Sequence, residues 1–257
     1  MISNFGLLYV ATGEKHSLEA ISNIQRSRPH LDGFPSCLIT DKIRGNEHEH
    51  FDIVRIHDSP IFGYRDKISA LQDLPFDVTL FVDSDAFLIS SVSSIFQLSF
   101  ISEFSAAHAP VRHPPGWSES DVPSIFPEFN SGVMLLKKCT RISNLMHDWL
   151  STYDYLYDHF QQNWDQASLR SVVWKSILNN DLSIAVLPSE ANLRTTKPWI
   201  AGRGLPVSIV HGRFDGSELE PLIRFLNSDV DCFRTWVDWL QLYPSSSIRP
   251  RFDRTYP

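Results

Sequence analysis

A chain of 257 residues with 42% hydrophobic and 21% charged residues can bury one sizeable α/β core, and nothing in its composition calls for a second domain. Its formal charge of -7 opposes phosphate backbones and anionic lipid, which basic surfaces normally meet, so nucleic acid is not an expected partner. The apolar run Gly6–Ala11 is too short to span a bilayer and has no Lys or Arg before it, so neither a transmembrane segment nor a signal peptide is expected and the chain is expected in the cytoplasm.

In chain order, Phe5–Ala11 predicts a first strand that leads through Thr12 and Gly13 into a helix over Glu14–Arg28, stopped by Pro29. β-rich runs follow at Ser36–Thr40 and Ile53–His57, and Tyr64–Leu74 carries helical spacing in Ile68, Leu71 and Leu74. Val78–Val82 is a continuous β-favouring run of the kind found in a strand covered on both faces. Phe104–Ala109 predicts another strand, Pro110–Pro127 a long proline-rich loop beside the site, and Phe129–Leu136 a return to strand. Ile142–Phe160 reads as an amphipathic helix with Leu145, Met146, Trp149 and Tyr153 on its core stripe, and a second helix spans Gln166–Leu178. Strands at Ile184–Leu187 and Val207–Val210 and terminal helices between Glu218 and Leu242 complete a domain read as residues 1–244, with a tail at 245–257. Strands alternating with helices, without internal repeat or linker, predict one α/β domain with a mainly parallel, doubly wound sheet. Cys37, Cys139 and Cys232 are far apart and lack C-x-x-C spacing, so they read as reduced, mostly packed thiols.

The chain holds two Asp-x-Asp copies. Asp229 and Asp231 precede Phe233–Leu240 and read as helix capping. Asp83 and Asp85 directly follow the buried strand, where two carboxylates repel each other unless a cation or a donor network compensates them. Side chains at i and i+2 of a strand share a face, so the pair can converge on one ion, and oxygen ligands favour magnesium or manganese. Ligand crevices in open α/β sheets also lie at the carboxyl ends of the strands. An Asp-Ser-Asp turn that merely stops the strand is the alternative. His48 and His50 read as solvated, whereas His211 ends a strand.

The segment Leu80-Phe81-Val82-Asp83-Ser84-Asp85-Ala86 resembles the Asp-x-Asp strand of glycogenin-like, family 8-type glycosyltransferases of the GT-A fold. Ser105-Ala106-Ala107, Gly116-Trp117, Phe129-Asn130-Ser131-Gly132-Val133, Asp165-Gln166, Leu187-Pro188 with Asn192, and Ile209-Val210-His211-Gly212 are similar to further family segments in the family's order. The resemblance spans residues 5–213 and implies a single GT-A, Rossmann-like domain that moves a hexosyl group from a UDP-sugar, with retention, to an acceptor that is a glycan, a lipid-linked sugar, a protein or a small molecule. It implies that Asp83, Asp85 and His211 hold Mn2+ or Mg2+ on the diphosphate, whose developing charge as leaving group needs neutralising. By the same resemblance Lys67, with Arg65 as fallback, touches the donor. It also implies that Asn130 and Asp165 grip hydroxyls of the transferred sugar and that Gln166 lies near its anomeric carbon, while Asp165 and Gln166 read by themselves as a helix start with the carboxylate capping free amides. The resemblance implies that Ala11, Thr12 and Gly13 receive the nucleotide and that Ser84 and Gly212 border it.

Two departures stand out. The family commonly follows its histidine with Gly-x-x-Lys-Pro-Trp, whereas this chain reads His211-Gly212-Arg213-Phe214-Asp215-Gly216, which makes Arg213 the substitute for a phosphate-binding lysine. The Pro110–Pro127 segment is longer than its glycogenin counterpart and is expected to shape the acceptor site. The tail carries Arg249, Arg251 and Arg254 and is expected either as a solvated terminus or as a basic flap over the diphosphate. The rival readings are a sugar-nucleotide-binding domain without turnover, and a phosphotransferase or phosphatase with Asp83 as nucleophile.

Overall fold

The computed structural model describes residues 4–109, 111, 117, 119–197 and 201–250. Strand β1 (Phe5–Val10) is buried at its four central residues and runs through Thr12 and Gly13 into helix α1 (Glu14–Ser27). Gly13 makes that turn at φ 84, a left-handed conformation that a side chain resists. Then follow β2 (Ser36–Thr40), a one-turn helix α2 (Glu47–His50), β3 (Ile53–Ile56), α3 (Tyr64–Ala70) and β4 (Val78–Val82). All five residues of β4 are buried, as its continuous β-favouring run predicts for a strand covered on both faces, and all five of β2 are buried as well.

The chain continues with β5 (Ala86–Leu88), α4 (Ser93–Gln97), β6 (Phe104–Ala109), β7 (Glu128–Lys137), α5 (Thr140–Phe160), α6 (Asp165–Leu178) and β8 (Ile184–Leu187). It closes with β9 (Leu193–Arg194), β10 (Ile209–His211), α7 (Leu219–Asn227) and α8 (Trp236–Leu242). The main sheet has seven strands in the order β3-β2-β1-β4-β7-β6-β8. It is mainly parallel, and among the described residues only β7 is reversed, antiparallel to both β4 and β6. An antiparallel pair needs no crossover helix, so the connection from β6 to β7 is free to be irregular. A second sheet has the order β5-β10-β9.

Helices cover both faces of the main sheet. One face packs Ile21 and Ile24 of α1 with Phe96 of α4 against Leu7, Leu80 and Leu135. The other packs Ile68 of α3, Trp149 of α5 and Val172 of α6 against Leu8, Phe81 and Met134. Leu145, Met146, Trp149 and Tyr153 are all buried, so the aromatic stripe of α5 is core. A third cluster joins α7 and α8 to the small sheet through Leu222, Trp239 and Val210.

Several expectations are corrected. The helices α2 and α4 and the short strands β5 and β9 lie in stretches too brief to show a period. The last strand begins at Ile209, two residues later than expected, and includes His211 itself. Asp229 and Asp231 do not cap a helix, because α8 starts at Trp236 and its first turn is capped by Thr235, whose hydroxyl accepts from Asp238 N–H at 3.0 Å. Asp229 instead accepts from Asp231 N–H at 3.0 Å within its own turn. Cys37 is buried, but Cys232 is exposed rather than packed. In the tail, Ser246 and Ile248 are buried rather than solvated: Trp239 Nε1 donates to Ser246 Oγ at 2.8 Å, and Ile248 joins the third cluster. Arg249 is exposed away from the cavity described below, and Arg251 and Arg254 lie outside the described residues. No helix among the described residues is long and apolar enough to cross a membrane.

Candidate active site

At the end of β4, Val82 pairs with Val133 of β7, and the next amide, Asp83 N–H, donates to Gly132 O at 2.8 Å. The reversal of β7 thus carries Asn130, Ser131 and Gly132 to the carboxyl end of β4. After Asp85 the chain enters the small sheet, where Ala86 pairs with His211, and Gly212 N–H donates to Asp85 O at 2.8 Å. Asp83-Ser84-Asp85 is therefore the corner between two sheets. Asn23 of α1, fully buried, braces that corner by donating to Ser84 O at 3.1 Å and Ala86 O at 2.7 Å. Its carboxamide oxygen accepts from Tyr9 Oη at 3.0 Å and Ser27 Oγ at 2.8 Å, so every polar atom of the brace is used.

One ligand atom from each of Asp83, Asp85 and His211 lies within 4.8 Å of the others. His211 Nε2 stands 3.2 Å from Asp85 Oδ1 and 3.7 Å from Asp83 Oδ2. Two carboxylates and an imidazole fit Mn2+ or Mg2+, since hard oxygen ligands dominate and the like charges need a cation between them. The fit is close, because a Cβ on Gly132 would meet His211 Cε1 at 2.1 Å and Asp83 Oδ2 at 2.6 Å.

Burial pushes the Asp83 carboxyl above its usual range, with Lys67 and His211 pulling against it and the charges of Asp85 and Asp165 adding to it. Against the cost of burial, His211, Arg213 and Arg194 hold Asp85 well below the usual carboxylate range. Lys67 is buried between Asp165, with which it forms a short ion pair, and Asp83 Oδ1 at 3.7 Å. It also donates to Ser131 Oγ at 3.1 Å. Burial opposes its charge, but Asp165 and Asp83 raise the ammonium above its ordinary range.

These groups line a cavity of about 510 Å³ at the carboxyl end of the sheet. Of the residues expected there, Ala11, Thr12, Lys67, Ser84, Asn130, Asp165, Gln166 and Arg213 line it together with Asp83, Asp85 and His211. Gly13 and Gly212 do not line it; Gly212 lies so close to Thr195 that a Cβ would meet Thr195 Oγ1 at 1.9 Å. Arg65 is committed elsewhere, in a two-pronged pair with Asp154 of α5 at 2.7 and 2.8 Å. Asp165 does begin a helix, but its carboxylate accepts from Ser131 Oγ at 2.6 Å and pairs with Lys67. Arg213 is half exposed, 3.3 Å from Asp85 Oδ2 and 3.0 Å from Glu19 Oε1.

No family model matches the chain, and no curated protein is similar to it in sequence. Solved structures are similar in fold. An active-site mutant of LgtC superposes with a TM-score of 0.54 at 13% identity, over 96% of this chain and 98% of LgtC. The galactosyltransferase LgtC in complex with donor and acceptor sugar analogues gives 0.51 at 11% identity, over 80% and 86% of the two chains. The bifunctional glycosyltransferase WbbM gives 0.52 at 12% identity over 77% of this chain. The chain has the GT-A glycosyltransferase fold. It spans less than half the length of two of these matches, 47% of the glycosyltransferase GlyE from Streptococcus pneumoniae and 41% of WbbM.

The cavity of this GT-A fold is also lined by cations that sequence reasoning passed over, Arg194 at the end of β9 and Lys197 just beyond it. Arg194 Nη1 lies 2.8 Å from His211 Nε2, and its Nε is buried with no hydrogen-bond partner among the described residues. Lys197 belongs to a Lys-Pro-Trp run, the signal that could have found it, which here precedes His211 instead of following it. Asp66 was missed as well. It ties the GT-A cavity's first strand to α3 by accepting from Thr12 Oγ1 at 2.6 Å and from the amides of Ile61 and Phe62, each at 2.8 Å.

The long loop before β7 has its own anchor. Arg170 of α6, buried, pairs with Glu119 Oε2 at 2.7 Å and donates to Pro123 O at 2.7 Å and Phe126 O at 3.1 Å. Val111 from the same loop lines the cavity.

Proposed function

We propose that this protein is a metal-dependent glycosyltransferase that moves a hexosyl group from a UDP-sugar to an acceptor, with retention of configuration. The observation that carries the reading is the corner between the two sheets, where Asp83, Asp85 and His211 converge on one point at the floor of the cavity. Retention and the UDP donor come from the resemblance of the motifs, and the GT-A neighbours, themselves glycosyltransferases by name, agree with that class.

Asp83, Asp85 and His211 would hold the ion. When bound it neutralises charge on the departing diphosphate. Arg213, Arg194 and Lys197 stand on the same wall and supply further positive charge to phosphate oxygens, the two guanidiniums as planar forks. Ala11 and Thr12 border the nucleotide. Lys67, held charged by Asp165 and Asp83, orients these two carboxylates and faces the donor. Asn130, Asp165 and Gln166 offer amide and carboxylate groups suited to adjacent sugar hydroxyls. The departing diphosphate can take the acceptor proton on the same face, so no side-chain base is assigned.

The test is calorimetry of UDP binding. Binding is expected to need a divalent cation, and Asp85→Ala is expected to abolish that need. Equal UDP affinity in manganese and in chelator would overturn the metal assignment. A panel of sugar nucleotides, followed by slow hydrolysis with manganese, then identifies the donor.

A further inference from the structure

A continuous file of side-chain amides crosses the cavity wall from Glu128 to His211. Gln166 Nε2 donates to Glu128 Oε1 at 2.6 Å, and Asn130 Nδ2 stands 3.4 Å from Gln166 Oε1. Asn192 Nδ2 donates to Asn130 Oδ1 at 3.0 Å, and Asn192 Oδ1 lies 2.8 Å from His211 Nδ1. Glu128, Asn130, Asn192 and His211 are all buried, and each finds a polar partner along the file.

The direction of this file is imposed at Gly132. A backbone amide can only donate, and Gly132 N–H meets Asn130 Oδ1 at 3.0 Å, which makes that atom the carbonyl oxygen. Asn192 must therefore turn its NH2 to Asn130 and its oxygen to His211. At the far end Gln166 Nε2 donates to Glu128 Oε1, which leaves the Gln166 oxygen for Asn130. These contacts agree with the direction that Gly132 sets.

We propose that Asn192 is a positioning residue which, with its polarity set through Asn130 by the Gly132 amide, holds His211 as the Nδ1–H tautomer and so keeps the Nε2 lone pair for the carboxylate cluster. Arg194 Nη1, a donor alone, lies nearer to Nε2 at 2.8 Å than to Nδ1 at 3.2 Å. Without the amide file the neutral ring has a competing choice, since Asp85 Oδ1 at 3.2 Å would accept a proton placed on Nε2. Fixing the ring's tautomer by a partner on its second nitrogen is a general means of tuning a histidine ligand, and removing such a partner typically lowers metal affinity about 10- to 100-fold. The inference rests on the metal reading for its purpose, but not for its geometry.

The test uses the full chain with ring-15N-labelled histidine, at a pH where the imidazole is neutral and no metal is present. His211→Gln identifies the His211 signals. Wild type is expected to show His211 as Nδ1–H, Asn192→Leu to move it toward Nε2–H, and Asn192→Asp, which keeps an acceptor for Nδ1–H, to retain the wild-type tautomer even if its melting temperature falls. An Nε2–H ring in the wild type, or an unchanged Nδ1–H ring in Asn192→Leu, would overturn the proposal. Mn2+ titration without nucleotide is the second arm: Asn192→Leu should bind about 10- to 100-fold more weakly than wild type. Should the wild type bind no Mn2+ while the tautomers behave as stated, the metal reading falls and the amide file stands.

Discussion

Gly132 leaves no space for a side chain between His211 and Asp83, and this crowding makes it a sensitive position in the cavity. An added methyl would have to displace a buried imidazole or a carboxylate that Lys67 already holds. Gly132→Ala is thus expected to lower Mn2+ affinity by about 10-fold or more, the scale on which disturbed ligand geometry acts. It should also cost about 1 to 3 kcal/mol in stability from overpacking. Mn2+ titration together with urea unfolding checks both, and wild-type metal affinity would show that the ligands can part freely. Asp83 and Asp85 were legible because they follow a strongly apolar run. Asn23 was not, because a polar residue on a helix reads as solvated until the fold packs it against the corner it braces.

The loop before β7 shows how one element depends on another. Its residues 119–126 are fastened to α6 by Arg170, whose side chain reaches Glu119, Pro123 and Phe126. Breaking a buried ion pair from one side leaves the other charge desolvated and uncompensated, at a cost of about 3 to 5 kcal/mol. Arg170→Met should show a loss of this size in urea unfolding. Arg170→Met combined with Glu119→Leu should lose less than Arg170→Met alone, since no stranded carboxylate remains. Additive losses in that double-mutant cycle would mean that the pair does not act as a unit. The irregular course of residues 119–127 was predictable from the prolines of the segment, of which residues 110, 112–116 and 118 lie outside the described residues, whereas its anchor was not, since an arginine on a helix gives no sign of the backbone carbonyls it will meet.

For the whole molecule, the C-terminal segment stabilises the unit that presents His211. Ile248 packs in the cluster of α7, α8 and the small sheet, and Ser246 accepts from the buried Trp239 indole. Ile248→Ala is expected to cost about 2 to 5 kcal/mol through lost burial and the cavity left behind. Thermal and urea unfolding measure it, and an unchanged midpoint would mean that this segment is held only at the surface. The same packing explains why a basic, serine-rich tail misled sequence reasoning: a single isoleucine among polar residues carries no period, yet one buried side chain is enough to fasten a segment.

The sequence by itself determined the α/β alternation, the buried strand β4, the core stripe of α5 and the Asp83-Ser84-Asp85 triplet at a strand end. All of these are local, because a periodic or continuous apolar run states which faces of its own segment must leave water. Tertiary structure alone decided that β7 runs backwards, that β5, β9 and β10 form a separate sheet, and that Arg194 and Lys197 face the cavity while Arg65 does not. Burial pattern carries no strand direction and names no partner. The meeting of His211 with Asp85 is set by which strands pair across the fold, and that depends on the packing of the whole chain.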